Sequence, residues 1–261
     1  MIDLTYLAAL MPVIFIFGLV IGSFLNVCIY RIPKHEDITT TRSHCTSCGN
    51  VIKWYDLFPV ISFLLLRGRC RSCGAKLSIQ YPVIELLNGL LYCLTFAVMG
   101  LSIKSVLTMA LISALIVIAV IDWRTYEIPF GLNVFIAVLG IAVVVEKLVN
   151  RDFTGVLDNL EGAVSVSGFL LLLYLLTRGR GIGGGDIKLM AAAGLFLGWK
   201  RCILAFVIGC ILGSVIHLIR MKVSKQDHVL AFGPYLAAGI FIASLWGNVL
   251  IDAYLRSFGV S

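Results

Sequence analysis

The chain has 261 residues, of which 60% are hydrophobic and 13% charged, and its mean hydropathy is +1.00. Soluble domains carry about 25% charged residues, so this composition excludes a soluble globular protein and describes an all-α polytopic membrane protein. The net charge of +7 is read as basic loops on one membrane face, not as a nucleic-acid partner.

A membrane span needs roughly 20 mostly apolar residues. The N-terminal stretch Met1 to Leu10 has no Lys or Arg, carries Asp3, and is followed by no small-x-small cleavage site, so it is expected to begin an uncleaved first span. That span runs from about Leu7 to Tyr30, with Gly18, Gly22 and Ser23 as small residues for close helix approach. Residues 31–80 form a polar insert with eight basic residues against three acids, Glu36, Asp37 and Asp56. Within it, Leu57 to Leu66 is apolar but too short to cross. Further spans are expected at about Tyr81 to Met99, Ile103 to Ile121, Phe130 to Val145, Ala163 to Thr177, Ile187 to Leu197, Cys202 to Ile219 and Val229 to Tyr254. This gives about eight transmembrane helices, with a mixed polar segment at Glu146 to Glu161.

Basic loops set orientation, because Lys and Arg accumulate on the cytoplasmic side. They lie at 31–80, 122–129 (Arg124), 178–188 (Arg178, Arg180) and 220–228 (Arg220, Lys222, Lys225, His228). They alternate with loops near 100, 146–161 and 200, where Lys200 and Arg201 run against the trend. Both termini are therefore expected outside, with Asp122 and Asp186 on the cytoplasmic face.

Carboxylates are expensive near lipid, and two of them sit at the mouths of predicted spans. Asp122 ends one in Ile121-Asp122-Trp123-Arg124; Asp186 begins another in Gly183-Gly184-Gly185-Asp186-Ile187-Lys188. Two facing carboxyls share a proton, and one can then act as base on a water while the other acts as acid toward a carbonyl. Gly183 and Gly185 would let a peptide approach the loop closely. Lys188 either tunes local charge or faces lipid headgroups. A lone Asp at a helix end is also an ordinary cap. The residues by themselves fit a catalytic pair and an ion-coupled transporter equally well. No Gly-Lys-Ser/Thr follows and the loop is preceded by a membrane span, which argues against a phosphate-binding loop.

Cys45-x-x-Cys48-Gly and Cys70-x-x-Cys73-Gly are separated by 21 residues. Paired knuckles of this kind read as one structural zinc site with four thiolates, with a redox role as the alternative that the two matching knuckles argue against. A reducing cytoplasm disfavours disulfides. His35 and His44 are taken as ordinary loop residues, and Cys28, Cys93, Cys202 and Cys210 as small core residues.

The ordered motifs carry a resemblance. Gly22-Ser23-Phe24-Leu25-Asn26-Val27 with Tyr30-Arg31-Ile32-Pro33, both cysteine knuckles, Tyr81 to Leu87, Asp122 to Pro129, Gly183 to Leu189 and Phe232-Gly233-Pro234-Tyr235 together resemble the prepilin peptidases, or type IV leader peptidases. These serve bacterial type IV pilus and type II secretion systems. The resemblance implies a multi-pass enzyme of the bacterial inner membrane, an aspartic protease of the Gly-x-Gly-Asp type. Its catalytic positions match Asp122 and Asp186. It implies cleavage of the basic leader from prepilins or pseudopilins at the cytoplasmic face. For members with the cysteine insert, it implies methylation of the new N-terminus by S-adenosylmethionine. It also suggests a division into 1–99, the N-terminal helices with the insert, and 100–261, the peptidase domain. Phe130 departs from the acid that many members carry there. Glu85 is a candidate contact for a basic or amino group of the substrate, or simply a helix-end acid. Asn26, Arg31 and Asn133 are further polar residues at span ends. Ion-coupled transport and a non-catalytic zinc-knuckle scaffold are the competing readings.

Overall fold

The computed structural model describes residues 4–179, 181–223 and 230–259; Arg180, Lys225 and His228, counted above in the basic loops, lie outside them. The chain folds into α1 (Leu4–Arg31), α2 (Ile61–Leu65), α3 (Gln80–Met99), α4 (Ile103–Thr125), α5 (Phe130–Val149), α6 (Phe153–Leu176), α7 (Gly184–Leu197), α8 (Trp199–Val223) and α9 (Gly233–Ser257). Two isolated β-bridges, His44 with Val51 and Arg69 with Lys76, are the β structure among the described residues. Seven of the described helices are long and apolar enough to cross a membrane, namely α1, α3, α4, α5, α6, α8 and α9. The expected eighth span is α7. At 14 residues it measures about 21 Å against a hydrocarbon core of roughly 30 Å.

The chain divides into two compact units, Met1–Val117 and Ile118–Ser261, with the boundary inside α4. In the first unit α1 packs along α3. A methyl on Gly18 would sit 2.7 Å from the Gly89 Cα, and one on Gly22 equally close to the Glu85 Cα. The backbones touch because no side chain intervenes. The buried polar groups at this seam are paired. Asn88 Nδ2 donates to the Gly18 carbonyl (2.7 Å), Ser113 Oγ donates to Asn88 Oδ1 (3.0 Å), and the Tyr92 and Ser113 hydroxyls lie 2.9 Å apart. Arg31, buried at the end of α1, donates to the carbonyls of Asp37, Thr41 and Arg42 and so ties the insert to the helix. A 3-10 turn at Trp54–Asp56 precedes the short apolar run of the insert, and the run itself forms α2. The Trp54, Leu64 and Leu65 side chains are exposed. Arg71 forks onto the Asp56 carboxylate at 2.7–3.1 Å, which holds Asp56 below the usual carboxylate range.

In the second unit α7 is packed by α5, α6, α8 and α9. Gly185 at its start lies against Ile128, just before α5, and Gly140 of α5 lies against Leu195 near its end. So α5 and α7 run parallel from a common level. A side chain on Gly162 or Gly194 would collide with the other's backbone, which brings α6 onto α7. The far end of α7 is closed by a buried amide. Asn159 Nδ2 donates to the carbonyls of Leu195 (2.5 Å) and Phe196 (3.3 Å), while its Oδ1 accepts from Lys147 Nζ (2.6 Å). These bonds satisfy orphan C-terminal carbonyls, and Gly198 then turns the chain at φ 85°. The predicted fifth span starts too late, because α6 begins at Phe153. Asp152 caps it by accepting from the Gly155 amide, and the polar residues that follow are helical.

Candidate active site and cysteine cluster

Asp122 stands in the last turn of α4, next to the buried Ile121, and is itself only 5% exposed. Its Oδ2 accepts the Gly233 amide at 2.8 Å. Gly233 starts α9, so the donor is one of the unpaired amides of a helix N-terminus. Tyr126 adopts φ 57° and returns its amide to the Asp122 carbonyl at 2.9 Å. This ends α4 and sends the chain through Ile128 and Pro129 into α5.

Asp186 is half-buried and occupies the third position of α7, with Gly183 as N-cap. Its amide donates to the Gly183 carbonyl at 3.2 Å, and its carboxylate bonds back to the Gly183 backbone. The carboxylate bond is the N3 half of a capping box; glycine at the N-cap has no side chain to supply the other half. A methyl on Gly185 would lie 2.9 Å from Ile128 Cβ, so only glycine lets the two acid-bearing loops close on each other. That contact joins the loop before α5, which follows Asp122, to the start of α7, which carries Asp186. Lys188 is exposed and places its ammonium 5.2 Å from the centroid of the Phe130 ring, a cation–π contact.

Sequence reasoning did not single out Gly233. A backbone donor leaves no side-chain signature, and its one clue was the Phe232-Gly233-Pro234-Tyr235 motif. Glu85 belongs to the first unit. It is 6% exposed and accepts the Val60 amide on Oε2 at 2.8 Å. Val60 sits at φ 59°, a strained setting for a β-branched residue. The structure thus brings Asp122, Gly183, Gly185 and Asp186 together in one unit and gives Glu85 a bond within the other.

The four predicted cysteines converge. The Sγ atoms of Cys45, Cys48, Cys70 and Cys73 all lie within 4.8 Å of one another, and those of Cys45 and Cys73 are 3.9 Å apart. Tetrahedral zinc with Zn–S of about 2.3 Å spaces its sulfurs at about 3.8 Å, so the set fits that ion. Each knuckle is built alike. Gly49 and Gly74 take φ 73° and 72°, and their amides return to the carbonyls of Cys45 and Cys70. The Cys48 and Ser47 amides hold the Cys45 thiol below its usual value, which favours the thiolate that binds metal, while its neighbours push the Cys73 thiol up.

Comparison with known proteins places these two sites. The family model of the bacterial peptidase A24 N-terminal domain matches residues 16–99, and that of the type IV leader peptidase family matches residues 109–218. A prepilin leader peptidase/N-methyltransferase of Bacillus subtilis is 34% identical over 251 residues, covering 95% of this chain and 98% of the relative. The chain belongs to the type IV leader peptidase family. Proteins of the same description from Pseudomonas putida and Xanthomonas campestris are 31% and 32% identical, over 94% and 93% of this chain and 93% of each relative. No solved structure gives a significant match. In this leader peptidase family member, Asp122 and Asp186 fall inside the leader-peptidase match, and Glu85 and the four cysteines inside the N-terminal-domain match.

Proposed function

We propose that this chain is an aspartic endopeptidase of the bacterial inner membrane that removes the basic leader of prepilins or pseudopilins at the cytoplasmic face. The observation that carries the reading is the close approach of the two acid-bearing loops at Gly185 and Ile128, with Asp122 held by the Gly233 amide, in a chain of the leader peptidase family. The pair holds one proton between its carboxyls. The ionised member takes a proton from a water, whose oxygen attacks the scissile carbonyl carbon. The protonated member gives its proton to the carbonyl oxygen. Collapse of the tetrahedral diol breaks the C–N bond, and a proton passes to the leaving amine. Gly183 and Gly185 keep the loop bare, so an extended peptide reaches the acids, and Lys188 braces the loop against Phe130. Glu85 is retained as a contact for the basic leader, working from the first unit.

The substrate's physical form agrees with this. A prepilin keeps its apolar helix in the membrane and its basic leader in the cytoplasm, so the scissile bond lies at the interface, the depth assigned to both acids by the basic loops. The functional division is drawn at residue 99: the N-terminal helices with the insert, then the peptidase domain. Cys45, Cys48, Cys70 and Cys73 would hold one zinc ion, which supplies a fixed fold to the insert and no open coordination position. The second half of the relatives' description implies that the new N-terminal amine is methylated, with S-adenosylmethionine as methyl-donor co-substrate. Membrane lipids are the remaining partner, and no role is assigned to nucleic acid.

The test is incubation of the purified protein with a prepilin in detergent, with and without S-adenosylmethionine. Mass spectrometry of the pilin N-terminus reports cleavage and methylation separately. Asp122→Asn and Asp186→Asn are each expected to abolish cleavage while leaving the helical content unchanged. Wild-type cleavage by either variant sinks the paired-acid mechanism.

A further inference from the structure

Among the described residues, buried side-chain nitrogen and oxygen atoms without a hydrogen-bond partner belong to two residues. They are both amide atoms of Asn133 and the hydroxyl of Tyr235. Each residue is only 4% exposed. Leaving such an atom unpaired costs on the order of 1–3 kcal/mol. Elsewhere the same unit pairs its buried amides with care, as at Asn159.

Each lies in the first turn of its helix, Asn133 in α5 and Tyr235 in α9. Asn133 follows the Asp122 loop into α5 and heads the buried stripe Asn133, Ile136, Gly140 and Val143. Gly140 on that stripe lies against Leu195, and Ile128 before it lies against Gly185. Asn133 therefore faces α7 about one turn, roughly 5 Å, below Asp186. Tyr235 comes two residues after Gly233, the donor to Asp122, with its ring against Gly213 of α8.

A carboxamide offers a donor and an acceptor side by side, the complement of the N–H and C=O that one residue of an extended chain presents on the same side, and a hydroxyl offers either. Lipid tails and helical segments need neither, because a helix satisfies its own backbone. A peptide unwound for cleavage does need them, since its freed N–H and C=O groups have no water at membrane depth. We propose that Asn133 and Tyr235 form a backbone-binding subsite that receives the unwound peptide segment on the membrane side of the scissile bond. The subsite rests on the peptidase reading. It recognises main chain and is indifferent to side-chain identity.

The experiment measures prepilin cleavage against substrate concentration for wild type, Asn133→Leu, Asn133→Ala and Tyr235→Phe, with thermal unfolding of each in detergent. Binding of a hydroxyethylene peptide isostere is measured on the same samples. For Asn133→Leu the expectation is a KM and an isostere Kd raised about tenfold, the size of one lost hydrogen bond. Its Tm should match or exceed that of wild type, because an unpaired buried amide has been removed. Tyr235→Phe is expected to show about a threefold effect in the same direction. If wild type leaves prepilin intact, the prepilin reading fails and the isostere decides the subsite. Isostere binding that is absent in wild type or unchanged in Asn133→Leu overturns the subsite, as does a lowered Tm in both Asn133 variants.

Discussion

Gly233 has no side chain, yet its amide is the partner that orients Asp122. A methyl there would stand 2.7 Å from Asp122 Oδ2 and 2.9 Å from its Cγ, so Gly233→Ala must push the carboxylate out of place. Misplacing a reacting group by about 1 Å can cost about 10²-fold in rate. Gly233→Ala is therefore expected to lower kcat on a prepilin by about that factor with KM unchanged, read from initial rates. Near-wild-type turnover would show that the Gly233 contact does not position the acid. The two aspartates were legible from the sequence, because a carboxylate at the edge of an apolar run needs a reason to be there. Gly233 was not, since an amide donor carries no residue-type signal. Asn133 was visible as a polar residue at a span end, but its lack of a partner is a property of the packed state only.

At the scale of elements, the cysteine knuckles were the most legible feature. Their spacing alone foretold four converging sulfurs, because thiolate ligation constrains both loop length and the glycine that turns each knuckle. Helix bounds were less legible. The start of α6 was set too late because its first turns are polar, although Asp152 caps them and Lys147 reaches across to Gly155 and Asn159. The shortness of α7 was legible in its 11-residue apolar run, Ile187 to Leu197, and its cause lies in Asn159, which closes the helix from a neighbour distant in sequence. For the insert, metal binding and folding are one equilibrium. The purified protein is expected to carry one zinc per chain by elemental analysis. Chelation, or Cys45→Ser, should speed proteolysis within residues 38–80 at least about tenfold, given the several kcal/mol that structural zinc contributes. Unchanged proteolysis of a metal-free sample would mean that the Arg31 bonds to three carbonyls hold the insert unaided.

For the whole molecule, composition settled the all-α membrane class, and apolar run length found every long span. The number of crossings depends on α7, which hydropathy alone judges too short. Its parallel course beside α5, fixed by Gly185 against Ile128 and Gly140 against Leu195, makes it a transit from the acid-bearing end, one that protein on several sides allows to be short. The insert, the Asp122 loop and the Gly183 loop all precede α7, so the expected topology puts them on one membrane side whether or not that transit is counted, and the reading proposed above makes that side the cytoplasm. Cys48 and Cys73 in the insert are exposed and report on this directly. After chelation, a membrane-impermeant maleimide is expected to label the protein in inside-out vesicles and not in intact spheroplasts. The signal should vanish when all four insert cysteines, Cys45, Cys48, Cys70 and Cys73, are changed to serine. Labelling in spheroplasts would put the insert outside. Both acids would then stand on the face opposite a prepilin's basic leader, and the interfacial-cleavage reading would fall with the orientation.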